Sequence, residues 1–171
     1  GLSMYTTADA WPTHGVPEVV KHKESAHNRA SVEAHRMEGM GLDVPYQGTE
    51  AGPVLWAQYS FLGLDPTGLK DEYCTDYFHE MRNLTLVNRA YCIRNPKHYK
   101  GFGPDCWGLT ASYSVNGYAA HAPNERDDQG VIAPTAALPS IVYTPEQSLQ
   151  GMRHLSEMGD NVFGPYGFYD T

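Results

Sequence analysis

The residue with the most chemical promise is Glu50. It sits in Gln47-Gly48-Thr49-Glu50-Ala51-Gly52-Pro53, a glycine-rich loop directly ahead of an apolar run. A carboxyl placed there is expected to lose hydration, which raises its pKa toward the range of a general acid. The same carboxyl would also stabilise the positive end of a helix that starts at Pro53, and spacing alone leaves both roles open. Cleavage of a glycosidic bond needs an acid of this kind and a second carboxylate. The other loop carboxylates are Asp105, Glu125, Asp127, Asp128, Asp160 and Asp170, most of them expected to be solvated.

Aromatic side chains are the second signal, with 12 Tyr, 5 Phe and 3 Trp among 171 residues. Aromatic rings stack on the apolar faces of sugars, while amides and carboxylates hydrogen-bond the hydroxyls. Trp56, Tyr59, Trp107, Tyr113, Tyr118, Tyr166 and Tyr169 are the candidates. Each would otherwise be core, the usual place for an aromatic, and the glycines around Tyr166 and Tyr169 argue least for burial there. The histidines His22, His27 and His35 with Glu24 do not follow HExxH spacing. No nucleophile elbow, phosphate loop or dinucleotide fingerprint occurs either, so no metal or cofactor is expected. Cys74, Cys92 and Cys106 are odd in number without CxxC spacing; three buried thiols are expected rather than a zinc site or disulfide scaffold.

Charge excludes further classes. Twelve Lys+Arg against 20 Asp+Glu leave a formal net charge of −8, the wrong sign for tracking a phosphate backbone. Lys21-His22-Lys23 is the longest basic cluster. No stretch approaches the roughly 18 apolar residues of a membrane span, and Gly1-Leu2-Ser3-Met4-Tyr5 does not open a targeting segment. An acidic chain does not oppose a neutral ligand such as a glycan.

These residues need elements to hold them. Residues 1–23 read as irregular, 24–40 as a helix stopped by Gly39 and Gly41, and 42–53 as a loop. Pro53 to Leu62 reads as a short, largely buried helix, with Pro53 at its first position, ending at Gly63. Asp65-Pro66 is expected to open one long helix reaching about Ile93, ended by Asn95-Pro96. Lys97 to Gly130 reads as a long functional loop. A short helix at Pro134 is cut by Pro139, and a last helix opens with Thr144-Pro145-Glu146-Gln147 as a capping box. Its expected apolar face is Leu149, Met152, Leu155 and Met158. The fold class is mostly α, as a single domain over residues 1–171 with long aromatic- and Gly-rich loops.

Seven segments, in order, resemble the bacterial glucoamylase-like glycoside hydrolase family, which includes endo-β-1,2-glucanases. They are Thr49 to Pro66, Leu86 to Pro96, Gly101-Phe-Gly-Pro-Asp-Cys-Trp-Gly-Leu-Thr-Ala111, Gly130 to Leu138, Tyr143 to Glu146 with Arg153-His154-Leu155, and Gly164-Pro-Tyr-Gly-Phe-Tyr-Asp170. The resemblance implies an (α/α)6 toroid and hydrolysis of β-glucan, most of all β-1,2-glucan, with inversion and without a metal. It implies a periplasmic or secreted setting and an oligosaccharide or polysaccharide substrate. Glu50 matches the family's pocket Glu, the implied general acid. Asp170, or a carboxylate outside this chain, would activate water. Arg89, Tyr91, Lys100, Trp107 and Tyr166 match the family's pattern and are expected to line the pocket or contact sugar. Family members are more than twice as long and carry an Ile-Asp-Gln-Gly-Pro pattern absent here, so the chain is expected to form part of the toroid, the remainder being its partner. The alternative from another class is a non-catalytic glycan-binding partial toroid.

Overall fold

Pro53 directly precedes helix α1 (Val54–Tyr59). The computed structural model describes residues 52–59, 61–70 and 76–171. The expectations for residues 1–23 and 24–40, for Glu50 and for Cys74 fall outside the described residues. The described residues group into two compact units, residues 58–83 in one and residues 52–57 with 84–171 in the other.

In the unit of residues 58–83, the helix expected from Asp65 is instead a single turn. Asp65 Oδ1 accepts the Thr67 N–H at 2.9 Å, and the Leu69 N–H reaches the Pro66 carbonyl at 3.0 Å. Gly68 then takes φ +74, a left-handed conformation that no helix propagates through. The long helix, α2 (Tyr77–Arg94), starts where Asp76 Oδ1 accepts the His79 N–H at 2.9 Å. Asp76 is therefore the N-cap, in place of Asp65. Phe61 and Tyr77 pack with ring centroids 5.9 Å apart.

The larger unit is organised around Leu109. The Asn88 side chain on α2 pairs with its backbone twice, Nδ2 donating to the Leu109 carbonyl at 2.8 Å and Oδ1 accepting the Leu109 N–H at 2.9 Å. The same carbonyl accepts the Val54 N–H at 3.2 Å, and Thr110 Oγ1 accepts the Leu55 N–H at 3.2 Å. Two orphan donors at the start of α1 are satisfied in this way. Contrary to expectation α1 is largely uncovered: Val54 is its buried residue, while Leu55, Trp56 and Tyr59 are exposed. The Trp56 ring turns back over Gly52.

The long segment after α2 holds a hairpin that hydrophobic alternation does not reveal. Strands β1 (Ala111–Ser114) and β2 (Gly117–Ala120) pair antiparallel, Ser114 opposite Gly117. Ser112 points inward and Tyr113 outward, so the polar residue is the buried one. Helix α3 (Pro134–Ala137) forms as expected, and a 3-10 turn over Pro139–Val142 follows it. Helix α4 (Pro145–Glu157) also forms, but without its capping box. Thr144 Oγ1 donates to the Ser140 carbonyl at 3.1 Å and lies 3.3 Å from Ser148 Oγ. The buried side of α4 is Ser148, Gly151 and Leu155, because the Trp107 indole lies against Gly151. Leu149 and Met158 are exposed. The chain closes in a second hairpin, β3 (Phe163–Gly164) with β4 (Gly167–Phe168). The described residues are thus partly helical, with four short strands in two hairpins.

Candidate functional site

The geometry that most resembles working chemistry lies where the C-terminal segment meets α3. Gly108 takes φ +132, and a Cβ there would lie 2.8 Å from the Ala133 carbonyl oxygen. Only glycine lets the two backbones come so close. The Ala133 N–H in turn bonds the Gly108 carbonyl at 3.0 Å. Val54, Ala133 and Ala136 form one buried cluster, and Ala137 is also buried. The inward side of α3 is therefore fixed, while Thr135 faces solvent. Its hydroxyl donates to Asp170 Oδ1 at 2.6 Å. Asp170 Oδ2 accepts no hydrogen bond among the described residues. An exposed carboxylate with one oxygen held and one free is equipped to accept a proton or a hydrogen bond from water or a sugar hydroxyl.

The other residues expected at the site are placed differently from one another. Tyr166 is fully exposed at the tip of the β3–β4 hairpin, and Lys100 is exposed. Arg89 is half-buried and braces the surrounding loops: Nε donates to the Pro104 carbonyl at 3.0 Å and a terminal nitrogen to Gln150 Oε1 at 3.4 Å. Tyr91 has no exposed surface, and its hydroxyl donates to Asp128 Oδ2 at 3.0 Å. Burial beside that carboxylate pushes the phenol pKa up, desolvation being the larger cause. Tyr91 therefore supports the loop and offers no sugar contact. Trp107 is 1% exposed, so neither ring face is open for stacking. Its indole N–H has no partner among the described residues. Glu50 lies outside the described residues, and its separation from Asp170 with it.

Three residues were missed by sequence reasoning. Asp128, expected to be solvated, is 1% exposed. Its Oδ1 accepts the Gly130 N–H at 2.9 Å and its carbonyl accepts Lys97 Nζ at 2.6 Å. The Asp128-Gln129-Gly130 turn was the available signal. Thr135 carries no sequence signal at all. Glu80, in the unit of residues 58–83, is 4% exposed, and Oε1 has no partner among the described residues. Desolvation pushes its pKa up to about 7. Cys92 is a free, buried thiol, and burial pushes it up to about 12; Cys106 is free and half-buried. No described helix is long and apolar enough to cross a membrane.

Comparison with known proteins places these features. The family profile described as "Putative glucoamylase" matches residues 1–171. A solved Bacteroides caccae structure described in the same words is 77% identical, with a TM-score of 0.82, over 98% of this chain and 40% of that one. The endo-β-1,2-glucanase of Chitinophaga pinensis, solved with sophorotriose and glucose, is 54% identical with a TM-score of 0.80, again over 98% and 40%. A curated relative from Parabacteroides distasonis, an exo β-1,2-glucooligosaccharide sophorohydrolase acting at the non-reducing end, is 42% identical over 124 residues, 72% of this chain and 17% of the relative. The chain thus spans well under half the length of these relatives.

Proposed function

The chain belongs to the glucoamylase-like family, and from that premise we propose that it is part of a glycoside hydrolase cleaving β-1,2-linked glucan in endo fashion. The observation that carries the proposal is the 54% identity, over 98% of this chain, to an endo-β-1,2-glucanase solved with a β-1,2-linked trisaccharide. A second relative, named for an exo reaction, shares the linkage. The architecture we propose is part of an (α/α)6 toroid, the 171 residues forming a single incomplete glucoamylase-like domain whose partner is the remainder of the ring. By resemblance to the family, the protein is read as periplasmic or secreted.

In this reading Glu50 gives its proton to the glycosidic oxygen as the bond from that oxygen to C1 breaks. Asp170 takes a proton from a water that attacks C1 from the opposite face. An inverting mechanism in general requires about 6.5–9.5 Å between the acid and base carboxyls. Each turnover consumes one water and releases two shorter glucans, the new reducing end starting as the α-anomer. No step needs a metal or cofactor. The Oδ2 of Asp170, which accepts no hydrogen bond among the described residues, supports the role of base, and the exposed Tyr166 supports that of a sugar platform. The test is hydrolysis of linear β-1,2-, β-1,3- and β-1,4-glucans and starch, with proton NMR of the first product. Release from β-1,2-glucan alone, as α-anomer, is expected. Faster cleavage of starch or another β-linkage would overturn the substrate assignment, and a β-anomer the mechanism.

A further inference from the structure

We infer that Thr135 is the positioning residue for the Asp170 carboxylate, holding one oxygen so that the other faces the reacting water; the inference rests on the reading of Asp170 as base. The hydrogen bond is short, 2.6 Å between oxygens, within the range for a hydroxyl donating to an ionised carboxylate. Both ends are anchored. Thr135 follows Pro134, whose ring fixes φ, and its neighbours Ala133, Ala136 and Ala137 are buried.

The residues before Asp170 are held in place. The Tyr169 N–H bonds the Val162 carbonyl at 2.9 Å. The Tyr169 ring lies so close to Gly164 that a Cβ there would be 2.7 Å from its edge. Phe163 and Phe168 pack edge to face across the hairpin, centroids 4.9 Å apart. The backbone thus delivers Asp170 to α3, and the Thr135 hydroxyl sets the last torsion. A hydroxyl that merely filled space would not need to face a carboxylate. An exposed bond of this kind contributes little to folding, which leaves orientation as its role.

The test compares Thr135→Val, which keeps the shape and removes the donor, with Thr135→Ser, which restores the donor. Both sites are exposed, so the variants are expected to fold. On linear β-1,2-glucan, Thr135→Val should lower kcat about 10–100-fold with KM little changed. Thr135→Ser should recover most of the loss, and Thr135→Val should add nothing to Asp170→Asn, since the two act as one unit. The carbon-13 resonance of the Asp170 carboxyl, assigned by its loss in Asp170→Asn, should move in Thr135→Val and return in Thr135→Ser. An unmoved resonance overturns the inference whether or not the chain turns over. Full kcat in Thr135→Val beside an inactive Asp170→Asn overturns the positioning role and leaves the base in place. Full activity in Asp170→Asn overturns the base, and the inference with it.

Discussion

Gly108→Ala should destabilise the larger unit more than its single added methyl suggests. The perturbation has two parts. The backbone at Gly108 sits at φ +132, where a side chain costs about 1–3 kcal/mol. The new Cβ would lie 2.8 Å from the Ala133 carbonyl oxygen and 3.1 Å from Ala136 Cβ. Relief would require α3 to shift against Val54, and such overpacking costs about 1–3 kcal/mol. The sum is about 2–6 kcal/mol against a total stability of about 5–15 kcal/mol. Urea unfolding followed by circular dichroism should show a midpoint lower by about 0.7–2 M. Gly103→Ala is the control, because nothing lies within 4 Å of a Cβ there, and it should stay within about 0.5 kcal/mol of wild type. Equal midpoints for Gly108→Ala and the control would refute the close-approach argument, and with it the account of why α3 is rigid.

Two further outcomes are expected. Tyr91→Phe strips the donor from the buried Asp128 Oδ2 and should cost about 1–3 kcal/mol in the same unfolding assay; Tyr118→Phe, on an exposed ring, should cost close to nothing. Glu80 keeps its proton to about pH 7 in the folded state, whereas the unfolded chain releases it in the ordinary carboxylate range. Between about pH 5 and 7 the native state then binds more protons, so stability falls as pH rises, by up to about 3 kcal/mol. Glu80→Gln should flatten that slope in urea titrations run across the window, and an unchanged slope would contradict the burial of an unpaired carboxyl.

The elements that were legible in the sequence are those signalled by proline. Pro53, Pro134 and Pro145 each mark a helix start that the structure keeps, since a fixed φ and a missing donor suit the first turn. Asp65-Pro66 carries the same signal and fails, because Gly68 is left-handed two residues later and Asp76 takes over as cap. Side-chain partners were less legible. The Thr144 capping box gives way to bonds with Ser140 and Ser148 that only tertiary packing brings together. Of the expected apolar stripe Leu155 is buried, while Leu149 and Met158 are exposed, because the buried side also carries Gly151, the small residue that a tryptophan needs beside it. Both hairpins were missed because β1 buries a serine and β3–β4 are two residues each. At the site, Asp170 and Tyr166 are exposed enough to meet a ligand, while Tyr91 and Trp107 are core. Family pattern marks a residue as needed and does not separate sugar contact from support of the loop that makes it.

The central claim is that the carboxyl of Glu50 protonates a β-1,2-glucosidic bond. Reducing-end release from linear β-1,2-glucan, wild type against Glu50→Gln with circular dichroism to confirm equal folding, tests it most directly. The account predicts turnover that Glu50→Gln abolishes. Equal turnover in the two proteins, or none from a well-folded wild type, would contradict it.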